Sequence, residues 1–208
     1  MRELLRGIRL LQPEDYRRMP WKNGLGMTTE IAVSPMDAGL DGQSFEWRVS
    51  IADIEKDCEF SRFPGYDRSI VLIDGAGMEL NFGSAPSQRI DQTQKPFRFR
   101  GECLTRCRLL DGPVRDFNVM SARTKFAHIC KALTSPAPLH WKPNSEILLI
   151  YCLESRLSLE GFQDMKVEIS TGHTLIVDKR TDLPADNVLK ISAVSKDMVA
   201  VIVCISDM

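Results

Sequence analysis

Asp67-Arg68-Ser69-Ile70-Val71-Leu72-Ile73-Asp74-Gly75-Ala76-Gly77-Met78-Glu79-Leu80 is the stretch on which the reading of the fold turns. An apolar run of strand length ends in an Asp-Gly turn signal, and a short alternating strand leads away from it. Asn144-Ser145-Glu146-Ile147-Leu148-Leu149-Ile150-Tyr151-Cys152-Leu153-Glu154-Ser155-Arg156-Leu157-Ser158-Leu159 follows the same plan. Around both, apolar residues recur with period two, and Gly, Pro, Asp and Asn interrupt them at short intervals, which is the pattern of an all-β protein. A repeated β unit in one chain implies two consecutive β-barrels of one type. We expect them at residues 1–124 and 125–208, with the proline-punctuated segment from Thr134 to Pro143 as a crossing loop, since proline cannot continue a ladder.

The chain has 208 residues, enough to bury a core without disulfides. Its 27 Lys and Arg nearly balance its 28 Asp and Glu, so it lacks the basic footprint of a nucleic-acid-binding protein. Apolar runs such as Ile147 to Leu153 are too short to span a bilayer. The segment from Met1 to Leu11 lacks the apolar core and cleavage site of a signal peptide. Six cysteines are scattered without a C-x-x-C pair, which reads as reduced thiols in a cytoplasmic protein.

Three histidines, His128, His140 and His173, share no metal-binding spacing, so no metal and no cofactor are expected. There is no G-x-S-x-G, and Gly24-Leu25-Gly26 precedes a strand rather than a helix, so neither a serine nucleophile nor a dinucleotide loop is indicated. Polar residues fall instead on one face of several strands. Alternation places Arg48, Ser50 and Ala52 on one side of their strand, Thr28 and Glu30 on one side of theirs, and Asp116, Asn118 and Met120 on one side of a third. Were these faces to line a barrel interior, they would form a polar lumen; the plainer alternative is that they meet solvent. Lys22, Asn23 and Arg68 flank turns from which they can converge on one end of the same barrel.

Pro20-Trp21-Lys22-Asn23-Gly24 with Gly26 and Thr28 to Ile31, then Trp47 to Ala52, then Phe60 to Arg68, then Gly112 to Met120, resemble the HutD/Ves family in order and spacing, and more closely its Ves branch of stress-induced proteins. Leu25 departs from the second glycine of the family pattern, which reshapes the mouth around Asn23. The resemblance implies a bicupin, two cupin-like barrels without the cupin metal motif. It also implies a link to bacterial histidine utilisation, with urocanate or formylglutamate as the acid sensed. It brings no catalytic residues with it.

Together these readings describe a cytoplasmic, metal-free protein that binds a small anionic metabolite and acts in regulation. Arg48 would hold the carboxylate, because its planar fork matches two oxygens at once. Lys22, Asn23, Thr28, Ser50, Arg68 and Asn118 would complete the site, and Glu30 would orient a cation. Two alternatives remain open. One is an isomerase or hydrolase of the same metabolite class, with Glu30 or Asp116 as acid or base near Lys22. The other is an interaction module that forms a homodimer through the apolar edges of the second barrel.

Overall fold

The computed structural model describes residues 1–21, 23–36, 38, 45–91, 95–135, 138–141, 145–161, 165–181, 188–193 and 198–208. Strands β1 (Arg2–Leu5) and β2 (Ile8–Leu11) open the chain, and a short 3-10 turn (Pro13–Asp15) follows them. Next come β3 (Arg17–Pro20), β4 (Gly26–Ser34), β5 (Trp47–Ile54), β6 (Cys58–Phe60), β7 (Tyr66–Asp74), β8 (Met78–Asn81), β9 (Gln88–Ile90), β10 (Phe97–Arg100), β11 (Thr105–Leu109) and β12 (Val114–Ala122). The remaining strands are β13 (Phe126–Ser135), β14 (Leu139–Trp141), β15 (Ile147–Glu154), β16 (Arg156–Gly161), β17 (Met165–Ser170), β18 (Thr174–Asp178), β19 (Leu189–Ala193) and β20 (Met198–Asp207). No α-helix occurs among the described residues, in keeping with the period-two pattern.

The chain divides into two compact units, one from Tyr16 to Ala127 and one made of Met1–Asp15 with His128–Asp207. In the first, a six-stranded sheet runs β10-β7-β12-β5-β4-β3 and a four-stranded sheet runs β6-β11-β8-β9. In the second, the order β18-β15-β20-β13 matches β10-β7-β12-β5, and β14-β19-β16-β17 matches β6-β11-β8-β9. The stretches 67–80 and 144–159 are therefore β7-β8 and β15-β16, in equivalent places of one repeated topology.

The boundary expected from sequence shifts at the N-terminus. Residues 1–15 do not belong with the strands that follow them, because β2 pairs antiparallel with β18, placing Leu10 opposite Leu175 and Ile8 opposite Val177. The cause is burial: Ile8 and Leu10 enter the core of the second unit with Leu148, Ile150, Leu175 and Ile202. This cluster is aliphatic apart from Cys152 and Cys204, which act as small apolar side chains, as their place in apolar runs suggests. The first unit has its own core, built from Ile54, Ile70, Leu72, Met78 and Leu80 and joined by the partly buried Trp21 and Phe99.

Ile8 is fully buried in the second unit. Ile8→Ala removes a branched side chain from the middle of a packed cluster and should cost about 2–5 kcal/mol. Urea unfolding checks it: a loss below about 1 kcal/mol would show that the N-terminal strand is not part of this core.

Candidate functional site

The register of the six-stranded sheet of the first unit aligns the polar residues into rows. On β12, Asp116 lies opposite Ala52 and Leu72, Asn118 opposite Ser50 and Ile70, and Met120 opposite Arg48 and Arg68. On β4, Thr28 continues the first row beside Ala52, and Glu30 the second beside Ser50. On β3, Met19 and Arg17 follow beside Thr28 and Glu30; at the other edge β10 adds Phe99 beside Arg68. Directly paired residues project to the same face, so three strand-parity patterns become one surface. That surface borders a cavity of about 480 Å³, whose lining includes Thr28, Arg48, Ser50, Arg68, Asp116 and Asn118.

The two arginines are held differently. Arg48 Nε lies 2.7 Å from Glu30 Oε2, and Arg17 Nη2 lies 2.7 Å from Glu30 Oε1. Burial lowers the pKa of Arg48, and the Glu30 carboxylate opposes that shift. Arg68 is only 5% exposed and forms no ion pair among the described residues. Its guanidinium carbon sits 5.4, 5.6 and 5.0 Å from the ring centres of Phe60, Phe63 and Phe99. Such contacts stabilise a desolvated cation through the negative faces of the rings. Its Nη1 donates to the Ser61 carbonyl at 3.2 Å, while Nε has no hydrogen-bond partner. Burial pulls its pKa down to about 10, with Asp116 opposing and Arg48 adding to the fall; it remains a cation at neutral pH.

Asp116 is fully buried, and neither carboxyl oxygen has a hydrogen-bond partner. The Oδ1 of Asn118 is likewise unpaired. Desolvation pushes the Asp116 pKa up to about 7, against the opposing pull of Arg68 and with a small addition from Asp53. Unpaired buried acceptors are rare because each costs roughly 1–3 kcal/mol, and here they border a cavity. The surface therefore has a cationic row at one end and bare acceptors at the other.

The β3-β4 hairpin forms one rim. The Trp21 indole donates to Thr28 Oγ1 at 2.8 Å, and Trp21 N donates to the Gly26 carbonyl at 3.0 Å. Gly26 can only be glycine here, since a Cβ would run into the Asp53 carbonyl and the Trp21 ring. Asn23 lies on the cavity lining, but its Oδ1 accepts from Leu25 N at 3.0 Å, so part of its amide is used to close the turn. Lys22 lies outside the described residues.

Of the residues proposed from sequence, Asn23, Thr28, Arg48, Ser50, Arg68 and Asn118 thus lie together at one cavity. Glu30 is not on the lining; both its oxygens face arginines, and the cation it orients is Arg48. From sequence, Asp116 falls on the polar strand face and is given a role only in the catalytic alternative, and Phe60, Ser61 and Phe63 are not singled out as site residues. The signal for these three is their place in the Phe60 to Arg68 motif, which carries no indication that the rings enclose Arg68. Among the described residues, no three His, Cys, Asp or Glu side chains gather as a metal-binding group.

A family model described as HutD matches residues 13–193. The chain belongs to the HutD family. It is 45% identical over 154 residues to an uncharacterized 21.2 kDa protein in the hutC 3' region of Pseudomonas putida, covering 74% of this chain and 79% of the relative. It is 38% identical over 122 residues to protein Ves of Escherichia fergusonii, covering 57% of this chain and 59% of Ves. Identity thus runs higher and further along the chain to the Pseudomonas protein. Among solved structures, a conserved protein of unknown function from Pseudomonas aeruginosa superposes with a TM-score of 0.85 at 29% identity, over 97% of this chain and 99% of that one. HutD from Pseudomonas fluorescens gives 0.77 at 29%, with the same coverage of both chains. A cupin 2 conserved barrel domain protein from Leptotrichia buccalis gives 0.53 at 11%, over 86% and 88% of the two chains, which shows a cupin-like fold alone.

The buried acid of this HutD protein has a measurable consequence for stability. Its carboxyl binds its proton more tightly in the folded chain, at about 7, than at the ordinary 3.8. Between those values the folded state retains a proton that the unfolded state has lost, so stability falls as pH rises; below about 4 the effect vanishes, and above about 7 it is complete. Asp116→Asn should therefore melt close to wild type at pH 4 and above it at pH 8, as read by thermal unfolding across that range. A constant offset between the two proteins at all pH values would contradict the buried, proton-holding carboxyl.

Proposed function

We propose that this protein binds a small carboxylate metabolite in the cavity of the first unit and acts as a cytoplasmic regulator in histidine utilisation or a related stress response. The observation that carries this reading is the row in which Arg48 and Arg68 flank Met120 and face one cavity. Two guanidinium groups on neighbouring strand pairs present planar donors to an anion, in a site where burial strengthens each contact. A cavity near 480 Å³ suits a metabolite rather than a polymer. Membership of the HutD family supports the histidine link, and its acids urocanate and formylglutamate are of this chemical class. The repeated topology supports reading each unit as a cupin-like barrel, and the chain as a bicupin.

A second reading, catalysis on the same metabolite, is favoured by one observation: a buried carboxyl near neutral pKa in a cleft is poised for proton transfer. Turnover of a bound acid that is lost in Asp116→Asn would establish it.

Thermal shift with urocanate, N-formylglutamate and formate tests the binding reading. Ligand at about 100 times its Kd should stabilise wild type by about 2.7 kcal/mol. Arg48→Ala should lose most of that stabilisation. Equal shifts in wild type and Arg48→Ala, or no shift with any of the acids, would overturn it.

A further inference from the structure

The proposed carboxylate site accounts for the arginine row but leaves the other end of the cavity unexplained. Asp116 and Asn118 project from β12 on the same face as Met120, and by strand rise Asp116 lies about 13 Å along the strand from Met120, with Asn118 midway. Neither the two Asp116 oxygens nor Asn118 Oδ1 has a partner, and Asp116 is fully buried. With Asp116 ionised, every unpaired atom at this end is an acceptor. An acid whose second end is apolar or itself an acceptor would leave these groups unpaired, or pack another lone pair against them.

We infer that Asp116, with Asn118, is the specificity determinant of the cavity: it selects carboxylic acids that carry an N–H donor at the end remote from the arginine-bound carboxylate, and rejects acids of the same shape that lack one. This rests on the carboxylate reading above and narrows it to one class of ligand, acids with an N–H donor at the far end.

The groups around Asp116 also set a pH dependence. On its own strand and the adjoining β5 and β7 it feels Arg68, which favours its charge, and Asp53, which opposes it. Asp53 is ion-paired with Arg115, Nε to Oδ1 at 2.6 Å, which softens its effect. From the facing four-stranded sheet, the thiols of Cys58 and Cys107 sense the Asp116 charge, together with Asp57. None of these is a base close enough to hydrogen-bond it. A donor N–H is received best by the ionised carboxylate, so binding displaces the Asp116 proton to solvent. Affinity should therefore rise with pH until Asp116 is ionised in the free protein.

4-Acetamidobutanoate and 4-acetoxybutanoate form a matched pair of probes: both are monocarboxylates of one shape, and they differ by an N–H replaced with an ester oxygen. Neither the amide nor the ester titrates between pH 5.5 and 8. Calorimetry on the full chain at pH 7.5 should find the amide bound at least about tenfold more tightly, the expected range for leaving buried acceptors unpaired. Asp116→Leu should reduce that ratio to within about threefold, and Asp116→Asn, which keeps the volume, should abolish the rise in amide affinity from pH 5.5 to 8. Equal binding of amide and ester to wild type, or a pH-independent amide affinity, would overturn the inference while leaving the carboxylate site intact. If neither probe binds while urocanate, N-formylglutamate or formate does, this inference falls and the carboxylate site stands; if none of these acids binds, both fall.

Discussion

A guanidinium that is almost fully buried, with no ion-pair partner among the described residues, constrains the path of the chain in the first unit. Removing a cation from water costs several kcal/mol unless the surroundings replace hydration. Around Arg68 that replacement comes from the faces of three phenyl rings and one carbonyl. These partners lie on three separate parts of the chain: Phe60 on β6, Ser61 and Phe63 in the link to β7, and Phe99 on β10. Solvating one arginine therefore fixes the path of the link between the sheets. The backbone is drawn in accordingly. Phe63 N donates to the Gly101 carbonyl at 2.7 Å and Gly101 N to the Tyr66 carbonyl at 2.8 Å. A Cβ on Gly101 would stand 2.5 Å from the Phe63 carbonyl, so the link closes only over glycine.

Asp116 is governed by its own burial, as Arg68 is by its own. The two lie on neighbouring strands of one face, yet no ion pair joins them, and the carboxyl gains only a distant Coulomb attraction. Desolvation is the larger effect on both groups, lowering one pKa and raising the other. A close pair would have neutralised both and closed the cavity. Held apart, they give the surface two poles, and it is separation rather than the number of charges that leaves it able to discriminate between ligands.

How far the sequence discloses this depends on whether the controlling interactions are local. Strand parity is local, so Arg48 with Ser50, Thr28 with Glu30, and Asp116 with Asn118 can each be placed on a common face. Register is not local: nothing within Trp47 to Ile54 states that Arg48 stands opposite Met120 rather than two residues away. β6 has three residues, too few for any alternation to be read, so Phe60 carries no legible pattern. Ile8 to Leu11 reads as a strand, but besides β1 its partner lies beyond residue 170, and an apolar pattern does not name that neighbour. Asn23 shows the converse: its side-chain chemistry suggests a ligand contact, while its oxygen serves the turn beside it.

The repeat explains why the site occurs where it does. Equivalent strands in the two units face their own interiors with different chemistry. In the first, β7 and β12 bring Arg68, Asp116 and Asn118 inward; in the second, β15 and β20 bring Leu148, Ile150, Ala200 and Ile202, all buried in one aliphatic cluster. Aliphatic side chains from facing strands interdigitate to close packing, because a side chain that faces a void forfeits dispersion energy. Long cations and carboxyls cannot interdigitate in that way: each requires donors, acceptors or ring faces at a distance, and like charges such as Arg48 and Arg68 must stand apart. The same topology therefore buries an aliphatic cluster with one set of inward residues and borders a cavity with the other. The second unit's strands hold together through their aliphatic cluster, whereas the first sets its core against a polar face whose groups are not all satisfied by the protein itself.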